Sequence, residues 1–328
     1  MKKRRKLIIA FGCAVWPLAA SAQQPKNIYR VGYLSPAAGI EPRDGAFRQR
    51  LSQLGYVDGK NATIEWRFLR GNFERIPAAI ADFLRLKVDC IVAIGVPSVR
   101  AAKRATDTIP IVIGTIDADP VEEGFIASFA RPGSNVTGFT GIAYELAAKR
   151  MELLKEVAPQ ATRAVALVTF PATGAAQRAH LRGIGAACTT LGLQLKVIEC
   201  RSPKELDGAA FDAARASGVQ LLHVVATGWL NSYRERIVRF ASDLRVPAIY
   251  SNAVYVAHGG LMSYAADRVH QSRETAGYVA RILSGTKPAD LPVQRPTKFE
   301  LAINMKTAKA LGLTLPPEIM VQATHVIQ

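Results

Sequence analysis

Four consecutive residues, Gly95, Val96, Pro97 and Ser98, have types that suit the binding of an anion. Glycine lets the backbone come close to a ligand, and proline fits the first turn of a helix, where free N–H groups attract negative charge. A carboxylate is the natural guest of such a turn. The alternative interpretation is an ordinary turn between a strand and a helix, in which Ser98 caps the helix.

Two carboxylates, those of Asp117 and Asp119, follow the next apolar run along the chain. If that run is a buried strand, at least one of the carboxylates faces a ligand site and could pair with an ammonium group. Asp119 also precedes Pro120, so its alternative role is to cap a helix that begins there and is expected over residues 121–129.

Aromatic and hydroxyl side chains form a third candidate group, because they also follow predicted strands. Aromatic rings at strand ends could hold an apolar or aromatic part of a ligand, whereas packing in the core is the alternative for each ring. The remaining candidates for ligand binding are Ser35, Pro36, Phe170, Thr227, Trp229, Ser251 and Tyr264.

Signatures of catalysis and of metal binding are missing from the sequence. The five histidines are far apart and lack the spacing of metal ligands. There is no Walker loop, no G-x-S-x-G motif and no H-E-x-x-H motif. Gly183 and Gly185 begin a glycine pattern that lacks its final glycine and falls within a predicted helix, so it fails as a dinucleotide fingerprint. The sequence therefore predicts a protein that is not an enzyme and that uses no cofactor or metal.

A regular alternation of short apolar runs and helical segments must position these candidates. Residues 88–94 form a nearly continuous apolar run, as a parallel strand buried on both faces requires. Strands that alternate with helices, such as the helix expected over 203–217, indicate βαβ units and a parallel sheet. The alternation starts twice, at 29–34 and at 164–168. We therefore predict an α/β fold of two Rossmann-like, doubly wound parallel-sheet lobes, with ligand binding in the cleft at the carboxyl ends of the strands.

The tail of the chain sets the expected boundaries of the lobes. Residues 267–283 predict a long helix, and a linker with three prolines follows at 288–296. We interpret this tail as the chain crossing back between lobes, with crossings near residues 140, 265 and 293. The expected lobes are 23–140 with 265–292, and 141–264 with 293–328.

The first 22 residues have the pattern of a secretory signal peptide. A basic run is followed by an apolar run of 14 residues and by the small residues Ala20-Ser21-Ala22. The apolar run contains Pro17 and is shorter than the roughly 20 residues that a membrane-spanning helix needs. Lipid attachment at Cys13 is a further alternative. We predict cleavage after Ala22 and a mature protein in the periplasm.

Charge and cysteine usage fit an exported protein. Five of the basic residues behind the net charge of +16 lie in the signal peptide, which has no acidic residue, so the mature chain carries about +11. Lysine and arginine are scattered, which favours a solvated surface over a nucleic-acid partner. Cys90, Cys188 and Cys200 are expected to be buried as small apolar residues. A disulfide between Cys188 and Cys200 is the alternative.

Residues 130–138, which read ARPGSNVTG, resemble the ARPGGNVTG signature of the ABC transporter substrate-binding protein family that includes the tryptophan/tyrosine uptake binding proteins. The resemblance runs from about residue 29 to the C-terminus. It implies the type I periplasmic-binding fold, with two lobes, three hinge crossings and a ligand closed in the cleft. It also implies ligand contacts at the loop 95–98 and at the loop that ends at Asp119-Pro120. Further similar segments are 54–61, 86–89, 149–155, 259–264 and 298–304.

These features together predict the solute-binding component of an ABC importer. The expected partners are a small molecule, either an amino acid or an aromatic or apolar carboxylate, and a permease in the inner membrane. We expect no nucleic-acid partner and a monomeric protein. An exported sensor lobe and an exported enzyme that uses the same cleft are the alternatives.

Overall fold

A computed structural model describes residues 28–141, 146–169, 175–225, 230 and 233–328 of the 328-residue chain. The predicted signal peptide lies outside these residues. The described part forms two α/β lobes, each built on its own sheet. Within the described ranges, no helix combines the length and apolar character needed to cross a membrane.

The first sheet has five parallel strands in the order β2-β1-β3-β4-β5. Every residue of β3 is buried, because helices cover both faces of the sheet. Helices α2 and α3 pack on one face, and α1 and α10 pack on the other. The strands are β1 Tyr29–Ser35, β2 Ala62–Phe68, β3 Cys90–Ile94, β4 Ile111–Thr115 and β5 Val136–Gly138, and the helices are α1 Pro42–Gln53, α2 Ile76–Arg85, α3 Val96–Ala105 and α10 Arg268–Leu283.

The second sheet has seven strands in the order β12-β11-β10-β9-β8-β6-β7. Strands β6 to β10 pair in parallel, as predicted, whereas β11 runs antiparallel to β10. Its strands are β6 Arg163–Thr169, β7 Gln194–Cys200, β8 Leu221–Val224, β9 Ala248–Tyr250, β10 Met262–Ala266, β11 Phe299–Asn304 and β12 His325–Ile327. Its helices are α4 Leu146–Val157, α5 Ala175–Thr190, α6 Pro203–Leu206, α7 Ala209–Ala216, α8 Arg234–Leu244, α9 Val254–Ala257, α11 Met305–Ala310 and α12 Pro317–Gln322.

Helix α10 joins the two lobes. It follows β10 of the second sheet, but its apolar face packs in the core of the first lobe, where Ala276 and Val279 join Val31 and Phe47. The chain then returns beside its outgoing path, because Gln294 donates its backbone N–H to Gly138 at 2.9 Å. Two crossing segments therefore lie side by side. The residue boundaries expected for the lobes stay a prediction.

Two helices predicted from the sequence differ in the structure. Residues 121–129 form a turn followed by bends, although the Asp119 side chain accepts the N–H groups of Val121 and Glu122 as a helix cap would. The turn goes no further because Gly124 adopts a positive φ of 70°. The helix expected over 203–217 is divided into α6 and α7. Gly208 interrupts it with φ −128° and ψ −110°, which lie outside the helical region.

The three described cysteines are buried free thiols. Cys188 of α5 packs in the core on one face of the second sheet, and Cys200 of β7 packs in the core on the opposite face. The two sulfurs are thus separated by the sheet. Burial as small apolar residues is what the structure shows, and the disulfide is not formed.

Replacement of Gly138 by alanine is expected to destabilise the first lobe by about 1–3 kcal/mol. Gly138 has a φ of 123°, and an added Cβ would lie 2.6 Å from the backbone nitrogen of Ile113 on β4. Gly277→Ala in α10 is the matched control, because nothing lies within 4 Å of its added Cβ. Chemical denaturation should show a loss only for Gly138→Ala. Equal stability of the two variants would contradict the close approach of β4 and β5.

Candidate functional site

The carboxyl ends of strands from both sheets meet around one cavity between the lobes. The cavity holds about 300 Å³, part of it open to solvent. The first lobe contributes residues that follow β4 and β5, and the second lobe contributes α4 and the ends of β9 and β10. The start of α10 completes the wall. The polar side chains on its described wall belong to Thr115, Asp117, Arg150, Ser251, Arg268 and Gln271.

Gly141 holds the crossing segment against the first lobe. Its backbone N–H donates to the carbonyl of Ile116, and a Cβ at this position would collide with Oδ1 of Asp117. Only glycine lets the backbone come so close to that carboxylate. The absence of a side chain at residue 141 therefore fixes where the Asp117 carboxylate lies on the cavity wall.

Asp117 forms an ion pair with the first residue of α10. Its Oδ2 lies 3.6 Å from Nη2 of Arg268, and both side chains remain partly exposed. Asp267 holds the start of the helix in place, because its side chain accepts the backbone N–H of His270 at 2.8 Å. A partly exposed pair of this kind contributes at most about 1 kcal/mol to stability. The Asp117 carboxylate therefore lies near Arg268 and still lines the cavity.

Arg150 supplies a buried positive charge from the second lobe. It lies on the inward face of α4, is 1% exposed and donates from Nε to the carbonyl of Tyr264 at 2.7 Å. Burial lowers the pKa of the Arg150 guanidinium to about 10, and the charge of Arg268 acts in the same direction, whereas Asp117 opposes it. The group is still charged at neutral pH, but it keeps that charge at an energetic cost.

Two buried histidines lie behind Arg150. His180 of α5 and His223 of β8 have ring centroids 5.4 Å apart, and both side chains are buried. Burial lowers the pKa of His180 to about 3, with a further contribution from Arg150. Burial, then His180 and then Arg150, lower the pKa of His223 well below its usual value. Both rings are neutral at pH 7, so Arg150 is the charged member of this group.

The predicted residues at the end of β1 lie away from the cavity wall. Ser35 is fully buried, and its Oγ accepts N–H groups of Ala37 and Arg43, both at 3.3 Å. The carbonyl of Pro36 accepts the N–H of Gly71 at 3.0 Å. Contacts within the first lobe therefore engage both residues, and their proposed role in ligand binding stays a prediction.

The loop 95–98 lies beside the cavity and is joined to its wall. Gly95 has a φ of 86°, precedes α3 and donates its N–H to the carbonyl of Thr115 at 2.9 Å. Val96 is half-buried and Pro97 is exposed. Ser98 is fully buried, and its Oγ has no hydrogen-bond partner among the described residues. Ser98 is thus not the cap of α3, since Gly95 occupies that position.

Asp119 and Asp117 have different surroundings. Oδ1 of Asp119 accepts the backbone N–H groups of Val121 at 2.7 Å and of Glu122 at 3.3 Å, so this carboxylate closes a turn. Asp117 instead lines the cavity. The structure thus separates the two aspartates into one that faces the candidate site and one that organises the loop after it.

The predicted residues of the second lobe fall into two groups. Ser251 lines the cavity directly. Tyr264 contributes its backbone carbonyl as the acceptor for Arg150, while its ring stacks on that of Phe299 with centroids 6.0 Å apart. Phe170, Thr227 and Trp229 lie outside the described residues.

Three polar residues of the wall, Arg150, Arg268 and Gln271, are not predicted from the sequence. All three lie on helices, whereas the predicted residues follow strands. A signal for Arg150 was present, because it shares the apolar face of α4 with Ala147, Met151 and Leu154 at helical spacing. A charged residue on a buried helical face indicates either a paired charge or a functional group.

The arrangement suits the binding of a small polar molecule. Arginine side chains can donate to an anionic group, Asp117 can accept from an ammonium group, and the hydroxyls of Thr115 and Ser251 can do either. These groups come from both lobes and surround one partly enclosed volume. Among the residues that the structure describes, no cluster of three or more histidine, cysteine, aspartate or glutamate side chains could hold a metal ion.

The chain belongs to the family described as ABC transporter substrate binding protein, whose pattern matches residues 35–327. This family is one of substrate-binding proteins and not an enzyme family. The resemblance noted in the sequence is thereby confirmed, as is the type I periplasmic-binding fold.

Three similar proteins illustrate the relationship. The tyrosine-binding protein of Clostridioides difficile (strain R20291) is 25% identical over 292 residues, which cover 89% of this chain and 82% of that protein. A conserved domain protein from Vibrio cholerae superposes with a TM-score of 0.81 at 26% identity, over 92% of this chain and all of that one. An ABC domain from Streptococcus pneumoniae, solved in complex with L-Trp, superposes with a TM-score of 0.81 at 23% identity, over 91% of this chain and 99% of that one. This similarity shows the shared fold.

Proposed function

We propose that the chain is the periplasmic, ligand-capturing component of an ABC importer, and that its ligand is an amino acid with an aromatic or apolar side chain. The observation that carries this proposal is the cavity between the lobes, whose wall includes Asp117, Arg150 and Arg268. Such a wall offers a partner to each charge of a zwitterion.

The relatives support an aromatic amino acid. One of them is called a tyrosine-binding protein, and another was solved with L-Trp bound. A ligand that contacts both lobes at once favours the closed arrangement of the lobes through its additional contacts there. The same differential binding would let a permease distinguish the loaded protein from the empty one.

Export and partners follow from the same proposal. We propose that residues 1–22 direct the chain to the periplasm, where the mature protein acts as a monomer and delivers its ligand to an inner-membrane permease. Mass spectrometry of the exported protein should find Gln23 as its first residue. Retention of Met1, or a lipid on Cys13, would contradict this route.

The proposed function is tested by a thermal-shift screen of unliganded protein against amino acids, small carboxylates and aromatic acids. A ligand at 100 times its dissociation constant should add about 2.7 kcal/mol of stability. The strongest shifts are expected for L-tryptophan or L-tyrosine, and the ligand should be recovered unchanged and in a one-to-one ratio. The absence of a shift for every amino acid in the screen, or conversion of the ligand, would overturn the proposal.

A further inference from the structure

We propose that Arg150 and Gln271 form a carboxylate-binding subsite within the interlobe cavity. The inference rests on the proposed function and goes further, because it assigns the acid end of the ligand to two residues of α4 and α10. Neither residue lies at the end of a strand. The subsite is also distinct from the loop 95–98, where the sequence alone suggests that a carboxylate binds.

Gln271 has a buried amide donor beside the cavity. The residue is 4% exposed and lines the cavity, and its Nε2 has no hydrogen-bond partner among the described residues. Buried polar groups are nearly always satisfied in folded proteins, so such a donor calls for an acceptor from outside the chain. An oxygen of a bound carboxylate would meet that need.

Arg150 presents a charged group whose orientation is fixed. The carbonyl of Tyr264 accepts its Nε at 2.7 Å, which sets the plane of the guanidinium where it reaches the cavity. A planar guanidinium in a fixed orientation matches the two oxygens of a carboxylate. Burial lowers the pKa of Arg150 to about 10, and the guanidinium is charged at neutral pH, as the binding of a carboxylate requires.

The net charge of the described side chains on the wall favours an anion in the cavity. The described wall carries two arginines and one aspartate, and the aspartate lies 3.6 Å from Arg268. Arg150 approaches from the second lobe, whereas Asp117 belongs to the first. A ligand with both charges would therefore place its carboxylate towards Arg150 and its amine towards Asp117, and so span the two lobes.

Calorimetric titration with three related probes tests the subsite. L-Tryptophan carries both charges, indole-3-propionate carries only the carboxylate, and tryptamine carries only the amine. We expect tryptamine to bind at least 10-fold more weakly than L-tryptophan. Gln271→Leu and Arg150→Met should each weaken both carboxylate probes at least 10-fold and leave tryptamine unchanged. Ser98→Ala tests the alternative site in the loop 95–98 and should retain the affinity of the parent protein for all three. Gln53→Leu is the matched control, because Gln53 is exposed at the end of α1 and lies outside the cavity wall.

Each outcome separates the subsite from the proposed function. Binding of indole-3-propionate without L-tryptophan would support the subsite and overturn the amino-acid ligand, and binding of neither would overturn both. Equal binding of tryptamine and L-tryptophan, or an unchanged affinity in Gln271→Leu, would overturn the subsite alone. If Arg150→Met does not fold, Gln271→Leu decides the question. A loss confined to Ser98→Ala would instead assign the carboxylate to the loop 95–98.

Discussion

At pH 5 the protein is expected to have lost about 2 kcal/mol of the unfolding free energy that it has at pH 7.5 because His180 is buried, and buried His223 adds a loss in the same direction. Both rings are buried in the second lobe beside Arg150, and burial is the main cause of their lowered pKa values. In the unfolded chain both side chains titrate near pH 6.5. The unfolded state therefore takes up protons that the folded state excludes.

The direction of the effect follows from that difference. A group with a lowered pKa in the folded state contributes its full stability above the unfolded pKa and loses it as the pH falls. For His180 the loss begins near pH 6.5 and continues down to about pH 3. Protonation of either ring would also add a second positive charge next to buried Arg150.

Denaturation of variants at several pH values tests this expectation. His180→Met should reduce the stability lost between pH 7.5 and pH 5 by about 2 kcal/mol, and His223→Met should also reduce it, whatever the stability of the two variants at neutral pH. His325→Gln is the control, because the side chain of His325 is 66% exposed and its removal should leave the loss unchanged. An unchanged loss in both methionine variants would show that the two rings are not neutral and buried.

Replacement of Asp117 by alanine is expected to weaken an amino-acid ligand about 30-fold or more. Loss of one partner from a desolvated ion pair typically costs about 2–5 kcal/mol of binding, because the other charge is left buried alone. A loss of about 2 kcal/mol corresponds to roughly 30-fold in the dissociation constant. Asp117 is the aspartate on the cavity wall, so the loss is expected there. Calorimetry with L-tryptophan and L-tyrosine measures it.

Asp119→Ala is the matched control for this measurement. The Asp119 carboxylate accepts two backbone N–H groups in the turn that follows it, so its removal should cost about 1 kcal/mol of stability and little affinity. Asp117→Asn, which keeps the shape of the side chain without its charge, should behave like Asp117→Ala. A larger loss of affinity in Asp119→Ala than in Asp117→Ala would contradict the position of the ligand amine beside Asp117.

The two-lobe fold could be predicted because its strands are buried on both faces. Continuous apolar runs such as β3 and β6 leave little choice of structure when helices flank them. The direction of β11 could not be read in this way. The direction of β11 depends on the path of α10 over the first lobe, because the chain re-enters the second sheet after this helix. That path depends on the surface against which the apolar face of α10 packs.

The helix expected over 121–129 shows a second limit. The pattern of apolar residues there suits a helix, and Asp119 accepts the first N–H groups as a helix cap would, but Gly124 adopts a left-handed conformation. A glycine that leaves the helical region is a local effect that periodicity does not reveal.

The strand-end rule located part of the candidate site. It placed Asp117 and Ser251 among the candidates, and both lie on the cavity wall. It could not find Arg268 or Gln271, because they reach the cavity only when α10 leaves the second sheet and packs on the first lobe. Arg150 was detectable from its position on an apolar helical face, whereas its contact with the Tyr264 carbonyl depends on the tertiary structure.

One small molecule is expected to bind between the lobes, and a crystal structure with saturating L-tryptophan or L-tyrosine tests this most directly. We expect one ligand in the cavity, in contact with Asp117 of the first lobe and with Arg150 or Ser251 of the second. A ligand held by one lobe alone, or bound outside this cavity, would contradict the account. So would a protein that remains empty at saturating concentrations of both amino acids.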